Sequence, residues 1–300
     1  MTAPGVSRRT VLAGGAALVF LTACGGDDGG SADETDDATT DSTATGSDEL
    51  TGTLLVLLPQ QGVLTADGEQ RVPLAIADAE GVPVRDGLGP RDFQIRTDTG
   101  EPTVVTVEAH TDGVPTPYYP VRFTPAAPGI HELTVVGEPG FNAVTLDISE
   151  AALLPLVGQP LPVVATPTTA DARGVDPICT RTPACDLHAV SLSDVLGTAP
   201  VALSIATPEF CQTAICGPVL DLLIEALPDY PTITGVHAEV YADPRGGDDP
   251  TAGGLAPITD EFALTFEPTL YLVDATGTVV TRLDSVYDRV ELRAALEQIA

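Results

Sequence analysis

From residue 51 to about 150 the chain is written in short apolar runs broken by Gly and Pro. Asp92-Phe93-Gln94-Ile95-Arg96 alternates polar and apolar positions, the period of a half-buried strand. Thr53–Leu58, Arg71–Ala77, Thr103–Val107, Tyr119–Thr124, Ile130–Val136 and Asn142–Ile148 are runs of similar length, with turn residues such as Ala79-Glu80-Gly81 between them. No helical period of useful length interrupts the series. Seven short strands with Gly/Pro turns predict a β-sandwich over 51–150.

Beyond about residue 186 the pattern changes to alternating strand and helix. Ser191–Leu196 reads as a capped helical turn, and Pro200–Ala206 is a continuous apolar run, as in a strand buried on both faces. Val219, Leu220, Leu222, Leu223 and Ala226 fall at helical spacing, with Pro218 in the first turn. Val236–Tyr241 predicts a second strand, followed by a Gly/Asp/Pro-rich loop from Asp243 to Gly254. Thr269–Val273 and Thr278–Leu283 predict a hairpin around Ala275-Thr276-Gly277. A last helix is expected from Asp288, with Glu291 completing a capping box and Leu292, Ala295, Leu296 and Ile299 inward. The order is β-α-β, then ββα, over a second domain at 151–300.

The first 24 residues carry a different message. Arg8 and Arg9 precede an uncharged run, Val11–Ala23, which at 13 residues is short of the span a bilayer needs. The run ends in Leu21-Thr22-Ala23-Cys24. A basic head, a short apolar middle and a small-residue cleavage site are parts of an export signal. The Arg8-Arg9 pair resembles the twin-arginine signal of bacteria and archaea, with Val11 where that family usually has Phe. Leu-Thr-Ala-Cys resembles the lipobox of bacterial lipoproteins, which implies lipidation of Cys24 and attachment to the outer face of the cell membrane. Residues 25–50 are Gly, Ser, Thr, Ala, Asp and Glu with almost nothing apolar, and read as a disordered acidic tether.

Composition sharpens this. The chain has 13 basic and 43 acidic residues, a net charge of −30, and every base is Arg. Such a surface repels nucleic acid, whose binding rests on phosphate neutralisation. It also leaves no polybasic membrane patch, so a bilayer contact must come from the lipid. The absence of Lys excludes Lys nucleophiles and Schiff bases.

If Cys24 carries lipid, Cys179, Cys185, Cys211 and Cys216 remain. An even set in an exported chain reads as two disulfides, and the short spacings favour Cys179–Cys185 and Cys211–Cys216. The first pair lies in a Pro-rich loop and reads as a structural staple. The second lies between the predicted strand at 200–206 and its helix, where free N–H groups and the helix dipole stabilise a thiolate. Cys216-Gly217-Pro218 resembles the first three positions of the thioredoxin Cys-Gly-Pro-Cys motif, with Val219 in the fourth. Phe266-Glu267-Pro268-Thr269 resembles the thioredoxin cis-proline segment, and Gly158-Gln159-Pro160-Leu161-Pro162 the entry of exported thioredoxin-like domains.

The resemblance covers 155–300 and implies a thioredoxin-like domain that exchanges thiols and disulfides with extracytoplasmic proteins. Cys216 would attack, Cys211 would resolve, and Pro268 would shape the groove. No cofactor or resident metal is expected. Pro128-Gly129-Ile130-His131-Glu132-Leu133 resembles a hairpin of bacterial immunoglobulin-like modules, which would make the sandwich one of them.

Three other readings stand beside exchange. Two permanent staples would leave a non-catalytic partner-binding module. A peroxiredoxin-like peroxidase would use Thr207, which lies one residue too far from Cys211 for that family's T-x-x-C, and Arg282. A copper carrier would add His188 or His237 to Cys211 and Cys216, with a gap of four where such carriers have three. His110 and His131 belong to the sandwich and read as packed or exposed.

Overall fold

Each of the seven apolar runs is a strand in the computed structural model, which describes residues 52–57, 62–97, 100–138, 140–211 and 214–300. Arg8, Arg9, Cys24 and the acidic tether lie outside the described residues. The strands are β1 (Thr53–Val56), β2 (Gln70–Ala77), β3 (Arg91–Arg96), β4 (Thr103–Val107), β5 (Tyr119–Phe123), β6 (Gly129–Val135) and β7 (Val144–Ile148). They form two antiparallel sheets, ordered β1-β2-β5 and β4-β3-β6-β7. In β7 the period of two is complete: Val144, Leu146 and Ile148 are buried while Thr145 and Asp147 are exposed. Phe93 of β3 meets Tyr119 of β5 with ring centroids 5.4 Å apart, so the two sheets pack face to face.

Strand β2 departs from that alternation, because Val72 through Ala77 are all buried. One face of its sheet lies on the sandwich core. The other meets the C-terminal half, to which Arg71 donates hydrogen bonds.

That half contains α1 (Leu192–Val195), β8 (Val201–Ile205), α2 (Cys216–Ala226), β9 (Thr234–Ala238), α3 (Pro257–Glu261), β10 (Thr269–Val273), β11 (Val279–Asp284) and α4 (Arg289–Leu296). The sheet order is β11-β10-β8-β9; β8 and β9 run parallel and the other pairs antiparallel. All five residues of β8 and of β10 are buried. Ala202, Leu270 and Leu272 pack in one core with Leu223 of α2 and Leu296 of α4. Leu203, Ile205, Tyr271 and Val273 point into the other, which holds Ile258 and Phe262. Central strands covered on both faces read as unbroken apolar runs for this reason.

The differences from the expected elements are local. β9 ends at Ala238, since the Val240 amide turns away to donate to Thr207 Oγ1 at 2.9 Å. Helix α3 was not anticipated; its five residues are too few to show a period, although Pro257 is its first residue. Helix α2 starts at Cys216, ahead of Pro218. The two domains expected at 51–150 and 151–300 fall in one compact unit, Asp48–Ala300.

The contact between the halves includes a buried polar cluster. Glu291 of α4 receives Arg71 Nε and Nη2, each at 2.7 Å, Arg122 Nη2 at 2.8 Å and the Tyr118 hydroxyl at 2.6 Å. Asp288 caps α4, its Oδ1 accepting the Glu291 amide at 2.8 Å, and it also faces His110 Nδ1 at 2.8 Å. The expected capping box is therefore half made: the Glu291 carboxylate turns to the arginines of the sandwich side. Asp288→Ala is expected to cost about 1–2 kcal/mol, and Asp288→Asn, which keeps the acceptor, to recover part of it in a denaturant titration.

Candidate redox site

The parallel pairing of β8 with β9 runs one residue past the strand, through Ala206 N–H to Ala238 O at 3.0 Å. The chain then leaves the sheet by a turn, with Phe210 N–H donating to Thr207 O at 3.1 Å, and reaches Cys211. Helix α2 begins five residues later at Cys216. The two sulfurs are bonded, S–S 2.31 Å, with Cα atoms 6.0 Å apart.

Their environments are unequal. Cys216 is 0 % exposed, whereas Cys211 is half-buried. The Cys216 amide, at the start of α2, donates to Cys211 Sγ at 3.4 Å. The helix start thus favours negative charge on the outer sulfur. Of the two sulfurs, that of Cys211 is the more exposed, and Cys216, expected to attack, is the buried one.

The third member is Glu267, which the sequence places in the proline segment without assigning it a part. Its carboxylate accepts the Thr207 amide, and a carboxylate oxygen lies within 4.8 Å of both sulfurs. Burial pushes its pKa up to about 7, against the lowering effect of the Thr207 amide. Pro268 follows it through a cis peptide bond, is buried, and accepts the Ser285 amide at 2.8 Å. Cys211, Cys216 and the 267–268 segment are therefore brought together.

Thr207 adjoins this segment through its amide, but the remaining expected residues are not brought to it. Thr207 Oγ1 accepts the Val240 amide. Arg282 is engaged by Asp284 at 2.9 Å and by the carbonyls of Pro155 and Val63. Arg282, the cation of the peroxidase reading, is thus taken up by structural bonds. His188 and His237 stand beside Cys179 and Cys185 rather than beside the bonded pair, which removes the proposed histidine from the copper-carrier site. The staple expected at Cys179–Cys185 is not formed. These are free thiols, 3.8 Å apart, with His237 Nδ1 3.8 Å from Cys179 Sγ and 3.4 Å from Cys185 Sγ. The Cys185 thiol hydrogen bond, opposed by burial, lowers the Cys179 pKa, and Cys185 is raised in turn. His110 pairs with Asp288, and buried His131 sits 3.2 Å from Gly129 O. Among the described residues, no helix is long and apolar enough to cross a membrane.

No family model matches the chain, and no curated protein matches it. Among solved structures, one of a protein assigned as the thiol:disulfide interchange protein DsbE of Chlorobium tepidum is similar over 47% of this chain and 99% of that one. The identity is 18% and the TM-score 0.32.

Proposed function

We propose that this chain is an exported, lipid-anchored thioredoxin-like protein that exchanges thiols and disulfides with extracytoplasmic proteins, its immunoglobulin-like sandwich serving as a rigid mount. The observation that carries the reading is the Cys211–Cys216 bond at a strand-to-helix turn, with the half-buried Glu267 carboxylate within 4.8 Å of both sulfurs. A staple needs no ionisable group beside it. An exchanging pair does, because its inner thiol must lose a proton.

In the reduced chain, Cys211 thiolate attacks one sulfur of a partner disulfide. The partner's S–S bond breaks, a Cys211–partner bond forms, and the partner's other sulfur leaves as a thiolate. Cys216 then gives its proton to Glu267 and attacks Cys211 Sγ. The second partner sulfur departs as a thiolate, taking a proton from Glu267 or water. Two electrons pass from the chain to the partner, and a dithiol of a further partner returns them by the reverse steps.

Three measurements test this. The midpoint potential of Cys211–Cys216 is expected to lie above the value of about −300 mV below which structural disulfides fall. After reduction, limited alkylation at pH 7 is expected to label Cys211 before Cys216. Glu267→Gln is expected to slow resolution of the mixed disulfide by about 100-fold at neutral pH. The sign of the pH effect is set by the base. Wild-type resolution rises as pH passes upward through about 7, where Glu267 becomes a carboxylate, and the Gln variant lacks that step. A potential below about −300 mV, among those of structural bonds, with no thiol preference, would leave the pair as a staple.

A further inference from the structure

A second sulfur cluster lies on the other side of Ala206–Thr207, and exchange chemistry makes no use of it. Cys179, Cys185 and His188 come from the loop that precedes α1, and His237 from β9. Cys185, His188 and His237 are buried and Cys179 is half-buried. The four ligand atoms all lie within 4.8 Å of one another.

Four of the six distances among these atoms are close to the edges of a coordination tetrahedron. A tetrahedral zinc site with Zn–S about 2.3 Å and Zn–N about 2.05 Å has edges of about 3.8 Å for S–S, about 3.5 Å for S–N and about 3.3 Å for N–N. Here S–S is 3.8 Å, His237 Nδ1 lies 3.8 and 3.4 Å from the sulfurs, and His237 Nδ1 to His188 Nε2 is 3.1 Å. A disulfide would need the sulfurs at about 2.05 Å, and the histidines would then have no reason to converge on them.

The orientation of His237 is also fixed from outside. Its Nε2 is 2.9 Å from Ala206 O, an atom that only accepts, so Nε2 carries the hydrogen and Nδ1 turns a lone pair toward the sulfurs. A carbonyl holding the far nitrogen of an imidazole is the outer support that metal-binding histidines commonly have. On the opposite ring, buried His188 Nδ1 has no hydrogen-bond partner among the described residues, and Nε2 faces the cluster.

We propose that Cys179, Cys185, His188 and His237 form a closed, structural Zn2+ site. Two thiolates and two imidazoles suit a borderline-soft d10 ion, and four protein ligands leave no open position for catalysis. Binding sends the thiol protons to solvent, so affinity rises with pH. The site does the work expected of the second staple, holding the Pro-rich loop to β9. Through Ala206 it also buttresses the turn that leads to Cys211. The proposal stands whether or not Cys211 and Cys216 exchange with partners.

The test uses the full chain, with Cys211–Cys216 left oxidised and Co2+ as the probe. One equivalent of Co2+ is expected to give the thiolate charge-transfer and tetrahedral d–d bands of an S2N2 site, and one equivalent of Zn2+ to bleach them. Zn2+ is also expected to raise the melting temperature. Cys179→Ser and His237→Gln should lose more than the about 10–100-fold in affinity that changes outside the ligand set cost. The Cys211→Ser/Cys216→Ser double variant should keep the bands. The proposal is overturned if the wild-type chain gives no thiolate–cobalt band. It is equally overturned if the bands vanish in the 211/216 double variant, or if the purified protein carries a Cys179–Cys185 disulfide. The wild-type spectrum decides without any variant having to fold.

Discussion

Arg71→Ala is expected to destabilise the protein by about 3–5 kcal/mol, the cost of leaving a buried charge without its partner. The guanidinium grips Glu291 with two hydrogen bonds of 2.7 Å and donates to Asp284 O at 3.0 Å. Side-chain exposure is 6 % for Arg71 and 8 % for Glu291. Without Arg71, the carboxylate keeps Tyr118 and the half-exposed Arg122, which is too little to replace its lost hydration. The double variant Arg71→Met/Glu291→Leu is expected to lose less than Arg71→Ala alone, because it removes the unpaired charge as well. Urea titrations of the three proteins measure the difference. If the double variant proves the least stable, packing and not charge pairing holds this contact.

The same pair sets an acid limit. Burial pushes the Glu291 pKa up, but Arg71, Tyr118 and Arg122 overcome it and hold it at about 2, against 4.5 for an ordinary Glu. A depressed folded pKa stabilises the native state above the unfolded value. That stability is lost as pH falls from about 4.5 toward about 2, a loss of roughly 3 kcal/mol at 1.36 kcal/mol per unit. Glu291→Gln should flatten the stability curve in that window. Glu267 has the opposite sign: its raised pKa, about 7, favours the folded state at acid pH and is a burden above neutrality.

What the sequence made legible follows from how far its signals reach. Period-two and period-3.6 patterns are local, so every strand and the long helices could be placed to within a few residues. Cys216 was open to the same logic. It stands three, four and seven residues before Val219, Leu220 and Leu223, on the buried face of α2. Extending that stripe one turn back would have shown it to be the inner sulfur. The Glu291 carboxylate was misread because a capping box is a local rule, whereas its partners Arg71 and Tyr118 lie 220 and 173 residues away. His237 lies 52 residues from Cys185 and within a strand, where nothing in its neighbours marks it as facing sulfur. Only the parallel pairing of β8 with β9, and the loop folded over it, brings those groups together.

Cys211→Ser and Cys216→Ser are expected to fail in different ways, and the difference tests the inverted roles. Removing the outer sulfur takes away the one that, among the described cysteines, combines access with an amide donor at the start of α2. Turnover of a protein disulfide should then fall to the uncatalysed rate, with no covalent adduct. Removing the inner sulfur leaves Cys211 able to attack but nothing to expel the partner, so a one-to-one mixed disulfide should accumulate, visible by mass spectrometry. On this proposal the burial of Cys216 suits it to resolve, since its sulfur is bonded to Cys211 Sγ and shielded from solvent. Were the adduct to form on Cys216 in the Cys211→Ser chain instead, the inner sulfur would have to become exposed in solution. The order of attack would then be the one expected from the Cys216-Gly217-Pro218 motif and not the one the packing favours.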